Sequence, residues 1–145
     1  MGLISMSAAR LAVLIDGDNI PAQHAKAVFA KIDTLGATKV CRVYGRSAQT
    51  KPWTTAAPKY PMHRRRIGTS KPGKNAADIA LVIDAMDLLH DQKFDGYCLV
   101  SSDSDFSRLA KRLRKETDNV FGFGRRNAPS GYKAACRNFF HIEDL

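Results

Sequence analysis

Residues 11–15 are five consecutive apolar side chains that stop at Asp16-Gly17-Asp18-Asn19, and a helical pattern begins directly afterwards. A run that is apolar without alternation is buried on both faces, as in a strand of a parallel sheet. Pro21 suits the first turn of a helix. Ala25, Val28, Phe29, Ile32 and Leu35 give that helix an apolar stripe, and Gly36 closes it. Residues 40–44 read as the next strand. Strand, helix and strand at this spacing make a βαβ unit, which sets Asp16 at the carboxyl edge of a parallel sheet. Ligands of open α/β sheets bind along that edge.

A second edge of the same kind follows residues 97–100. The apolar run there ends in Ser101-Ser102-Asp103-Ser104-Asp105-Phe106, and Phe106, Leu109, Ala110 and Leu113 continue at helical spacing through residues 104–115. Two readings are open at this turn. Ser102 as N-cap with Asp105 three residues on forms a capping box, or the two aspartates stand where a sheet edge does chemistry. Residues 74–91 form a further helix. Stepped at 100° per residue, its apolar arc holds Leu81, Ala85, Leu89, Val82, Met86, Ile79 and Ile83 with Asp78 in the middle. Asp84, Asp87 and Asp91 fall on the opposite side as a solvated face. A carboxylate aimed at the core costs several kcal/mol unless it is paired or binds a metal, so Asp78 requires a buried arginine or a cation.

Residues 60–67, 120–123 and 138–142 supply further strands, and residues 46–73, with Pro52, Pro58, Pro61 and Pro72, read as the least regular part. The sustained alternation predicts a three-layer, Rossmann-like α/β domain with a central, mainly parallel sheet over residues 11–145. Residues 1–10 read as a frayed or alternative start, since Met6 is a second candidate initiator. Three cysteines, Cys41, Cys98 and Cys136, are odd in number and without Cys-x-x-Cys pairing, which points away from disulfides and thiolate zinc toward a reducing, cytoplasmic setting. No stretch approaches the roughly 18 apolar residues of a membrane span.

Net charge is +9, and residues 34–77 contain ten Lys and Arg but no acid, leaving 13 basic and 14 acidic residues elsewhere. A block of one sign is a footprint for a polyanion, of which nucleic acid is the commonest, or a merely soluble basic surface. Arg46, Arg64, Arg65, Arg66, Lys71 and Lys74 are the candidate contacts, joined by Arg125 and Arg126 in a loop that opens toward the same sheet edge. Trp53 and Tyr60 lie among these cations. They stack on unpaired bases of single-stranded RNA, or Trp53 anchors its loop to the core. The cations of the helix over residues 104–115 read as a wet face.

Asp16, Asp78, Asp103 and Asp105 meet if the strands ending at Asp16 and Ser102 are neighbours. Such a cluster repels itself unless it takes up protons or a hard divalent cation. All-oxygen ligands favour Mg²⁺ or Mn²⁺ over zinc. Beside a bound polyanion the metal would activate a water and neutralise charge on a phosphate, which is phosphodiester hydrolysis. His24, His63, His90 and His141 are scattered and near no nucleophile motif. Gly122, Gly124 and Gly131 form no dinucleotide fingerprint. Asp16-Gly17-Asp18 has the Asp-x-Asp of dehalogenase-type phosphatases, but Asn19-Ile20 stands where that pattern needs Gly-Thr.

Asp16-Gly-Asp-Asn19, Lys74-Asn-Ala-Ala-Asp78 running on to Asp84, and Ser101-Ser-Asp-Ser-Asp105-Phe106 together resemble the NYN domain, a branch of the PIN-like nucleases, in its LabA-like bacterial form. The resemblance covers residues 11–145 and departs at Ser102, where many relatives have Gly. It implies a PIN-like fold and a Mg²⁺ or Mn²⁺ dependent ribonuclease, with Asp16, Asp78 and Asp103 as metal ligands, Asp105 as a fourth acid, and Asn19 and Ser102 in support. Asp84 matches a family position, but the helical wheel turns it outward and keeps it out of the site. Relatives often continue into a LOTUS-type RNA-binding module, so selection of RNA here would fall to the basic block or to a partner, with a protein partner and a homo-oligomer both left open. A non-catalytic RNA-binding adaptor with a vestigial acidic pocket is the competing reading.

Overall fold

The computed structural model describes residues 9–66 and 76–145. Six strands, β1 (Arg10–Asp16), β2 (Ala37–Gly45), β3 (His63–Arg66), β4 (Gly96–Val100), β5 (Val120–Gly124) and β6 (Asn138–His141), make one sheet in the order β3-β2-β1-β4-β5-β6. Every pairing is parallel. Parallel neighbours require crossovers, and these are α1 (Ala25–Leu35), α2 (Ser47–Ala56), α3 (Ala76–Asp91), α4 (Ser107–Arg114) and α5 (Ser130–Ala135).

The two-residue period of β1 divides the core. Leu11, Val13 and Ile15 pack with Cys41, Val43, Cys98 and Val100 against α1 and α2, through Val28, Phe29, Ile32 and Trp53. Ala12 and Leu14 pack with Tyr44, Tyr97 and Leu99 against α3, α4 and α5, through Leu81, Ala85, Leu109, Leu113 and Tyr132. The result is the expected three-layer α/β domain. Its strand order reverses direction between β1 and β4, which opens a crevice at their carboxyl ends.

Three elements depart from the reading of the sequence. The first is α2, inside the stretch read as irregular. It tolerates Pro52, which forfeits one helical hydrogen bond, because it buries Thr50 and Trp53. Trp53 is fully buried, meets Phe29 edge-on with ring centroids 6.4 Å apart, and donates its indole N–H to the Ile20 carbonyl at 3.0 Å. It is the loop anchor and stacks on no base. Tyr60 is likewise engaged: its ring stacks on Phe29 at 4.2 Å and its hydroxyl donates to Asp33.

The second is the orientation of α3. Ala77, Leu81, Asp84, Ala85, Leu88 and Leu89 are its buried residues, while Ile79 and Ile83 are exposed. Asp87 and Asp91 face solvent as read, but Asp84 does not. Its carboxylate accepts from the Tyr44 hydroxyl at 2.8 Å and from Arg65 Nε and Nη2, each at 3.0 Å, with Arg42 Nη1 at 3.2 Å. Burial pushes the Asp84 carboxyl up, and the Tyr44 hydroxyl with the two guanidinium groups more than offsets it, so its pKa lies below the usual value. This strand-borne network turns Asp84 to the sheet and leaves the two isoleucines exposed. The third departure is α5, a short helix in a segment read as loop.

Candidate metal centre

Asp16 is the last residue of β1, and strand alternation turns it to the α3 face beside Leu14. The chain then bends so tightly that a Cβ on Gly17 would come within 2.9 Å of the Tyr44 carbonyl oxygen, whose lone pair the Gly17 N–H already fills at 2.8 Å. Only glycine fits there without displacing backbone. Asn19 reaches across the crevice, and its side-chain oxygen accepts the Ser102 N–H at 2.8 Å. The Ser102 hydroxyl accepts the Arg125 N–H at 2.8 Å. Asn19 and Ser102 thus tie the loops after β1, β4 and β5 into one rim.

Ser101, read only as part of the turn, proves central. Its buried hydroxyl donates to Asp16 Oδ2 at 2.9 Å and accepts the Asp103 N–H at 3.0 Å, so one side chain fixes two acids. A Ser directly after a buried strand was the available signal. The capping box is replaced by a different cap: Asp103, not Ser102, is the N-cap of the 3₁₀ turn Ser104–Phe106 that leads into α4, and it accepts the Asp105 N–H at 2.9 Å. The backbone thereby aims one Asp103 oxygen at its own turn and leaves the carboxylate facing the crevice.

Asp16, Asp78 and Asp103 converge, with one carboxylate oxygen of each lying within 4.8 Å of the other two. Asp78 comes from the first turn of α3 and is half-buried. No ion pair among the described residues involves any of the three. Burial, then the charges of Asp103 and Asp18, push the Asp16 carboxyl up to about 6 against the opposing Ser101 hydrogen bond. Burial, then Asp16, then a hydrogen bond shared with Asp103, push Asp78 up to about 7. Asp105 is exposed and outside this trio, and its charge adds to the rise at Asp78.

A hard divalent cation fits this donor set. Three carboxylates without a cationic partner gather oxygens at a spread close to the roughly 3–4 Å found around one Mg²⁺ or Mn²⁺, and the group contains no His or Cys that would suit zinc. All three cysteines are buried and free.

The expected nucleic-acid contacts divide. Arg65 is held bidentate by Asp84, and Arg64 donates to Thr50 Oγ1 at 3.1 Å and to Ser47 Oγ at 2.8 Å, so both guanidinium groups hold β3 in place. Arg126 is paired with Asp144, and its N–H donates to Glu143. Arg46 and Arg125 follow the ends of β2 and β5 on the crevice edge, and among the described residues neither side chain forms an ion pair. Lys71, Lys74 and the Arg66 side chain lie outside the described residues. Among those described, no helix is long and apolar enough to cross a membrane.

A six-stranded parallel sheet with three acids gathered at its switch point defines a Rossmann-like α/β domain with a candidate cation site. The chain belongs to the NYN domain family: the family's sequence model matches residues 10–143. A protein of unknown function from Vibrio parahaemolyticus has a similar crystal structure, with a TM-score of 0.70 at 18% identity over 95% of each chain, which establishes likeness of fold. A comparison with curated proteins gives no match.

Proposed function

We propose that this protein is a LabA-like ribonuclease that hydrolyses phosphodiester bonds of single-stranded RNA with the help of Mg²⁺ or Mn²⁺. The observation that carries the proposal is the meeting of Asp16, Asp78 and Asp103 at the switch-point crevice. These three would hold the cation, which when bound would supply an activated water and positive charge toward the phosphate. Ser101 keeps Asp16 and Asp103 in register. Asn19 and Ser102 hold the three edge loops together, so that the acids keep their spacing when a substrate presses on them. Asp105, exposed and with its charge felt at Asp78, would serve as a fourth acid that orients the attacking water. Arg46 and Arg125 flank the crevice and take the phosphates on either side of the scissile bond.

Asp103→Asn is the decisive variant. Asn caps a helix as well as Asp does, so the turn survives while the negative charge goes. Cleavage of an unstructured RNA should fall at least about a hundredfold, in line with loss of charge stabilisation at the reacting phosphate. RNA binding should persist, and EDTA should abolish wild-type cleavage. Cleavage indifferent to both changes would overturn the proposal. RNA binding without any divalent-dependent cleavage would favour the adaptor reading.

A further inference from the structure

Because Asp84 faces the sheet, α3 turns two isoleucines outward one helical turn apart, Ile79 at 57% and Ile83 at 55% exposure. Exposed apolar side chains scattered singly are ordinary, whereas a contiguous patch marks a contact. These two are contiguous. With Val82, Phe106, Asp78 and Asp105 they line a shallow, mostly apolar depression of about 310 Å³.

Asp78 belongs both to this depression and to the acid trio. An RNA whose scissile phosphate reaches the trio therefore brings a neighbouring nucleoside within reach of the depression. A nucleobase has flat, uncharged faces and can pack against aliphatic walls without meeting an unpaired charge. The aromatics that would otherwise hold a base are engaged, Trp53 sealed in the core and Tyr60 stacked on Phe29. A second copy suits the surface poorly, since two-fold pairing here would bring Asp78 and Asp105 of both chains together, and like charges at close range repel.

We propose that the face of α3 formed by Ile79 and Ile83 is the subsite for the nucleoside next to the scissile phosphate of single-stranded RNA. The subsite rests on the ribonuclease reading and adds how the substrate is held. Its lining is apolar, Ile79, Val82, Ile83 and Phe106, apart from the two carboxylates, so it grips a base by its faces and accepts any of the four.

The test compares Ile79→Ala/Ile83→Ala with wild type. Both side chains are exposed and Ala favours helix, so the variant folds, which its circular dichroism and melting temperature verify. Fluorescence anisotropy in Ca²⁺ measures binding of a short single-stranded RNA and of an abasic ribose-phosphate oligomer of equal length. Wild type should prefer the intact RNA by about tenfold, and the variant by less than about twofold. Equal affinity of wild type for both oligomers, failure to bind either, or an unchanged preference in the variant would overturn the subsite. So would a wild-type dimer in sedimentation that the two substitutions convert to monomer, which would assign the face to a second copy. Cleavage in Mg²⁺ or Mn²⁺ is read separately: base preference lost in the variant with no wild-type cleavage keeps the subsite and removes the nuclease, and the converse removes only the subsite.

Discussion

At the scale of single residues, the site is three crowded carboxylates at which protons and a cation would compete. Burial and the neighbouring carboxylates push Asp16 up to about 6 and Asp78 up to about 7, against about 4 for the same groups in an unfolded chain. Between those values the folded state holds protons that the unfolded chain has released, so metal-free stability falls as pH rises from about 4 to about 7. Thermal melts in EDTA should therefore give a lower melting temperature at pH 7.5 than at pH 5. Asp16→Asn should flatten that slope and recover on the order of 2 kcal/mol at pH 7.5. Mn²⁺ should raise the wild-type melting temperature more at pH 7.5 than at pH 5, because the ion replaces protons already bound at the lower pH. A wild-type melting temperature that rises across this window, with no change in the variant, would remove the electrostatic account. Asp16 and Asp103 were legible as acids at strand ends; Asp78 was singled out by an apolar arc that the structure rolls partly into solvent, leaving Asp78 half-buried beside the buried face and not at its centre. Ser101 was not, because a serine after a strand is common and only the fold shows its hydroxyl bridging two carboxylates.

At the scale of elements, what the sequence revealed depended on how local the cause was. β1, α1 and β2 are set by their own periodicity and punctuation, and they emerged as read. The roll of α3 is set by Arg42 and Arg65 on two strands, partners that no helical wheel contains. α2 is a helix because Trp53 and Thr50 are buried, against the evidence of Pro52. α5 spans six residues with a glycine among them, too short for a period to show. The Asp84 network carries its own prediction. Asp84→Asn leaves two guanidinium groups without their shared anion and should cost about 2–4 kcal/mol, while Asp87→Asn on the wet face should stay within about 0.5 kcal/mol. Comparable losses in denaturant melts would show that α3 is not held by this network. Arg64→Ala/Arg65→Ala should lower the melting temperature as well, since both side chains anchor β3.

For the whole molecule, the strand order does the gathering. Acids 87 positions apart, Asp16 and Asp103, become neighbours only because β1 and β4 are adjacent and parallel, and Asp78 joins them from α3, which packs on β1 and β2. Part of the basic block also holds the molecule together, since Arg42 and Arg65 pair with Asp84. Arg46→Ala and Arg125→Ala should each reduce the salt dependence of RNA binding by about one phosphate contact, with little effect on stability. An unchanged slope in both would move the phosphate path elsewhere. The central claim is that three carboxylates distant in sequence form one cation site. Titration of metal-free protein with Mn²⁺ at pH 7.5, followed by electron paramagnetic resonance, tests it most directly. The expected result is a saturable site whose affinity drops at least about tenfold in Asp78→Asn and in Asp103→Asn alike. Affinity that is unchanged in both variants would contradict it.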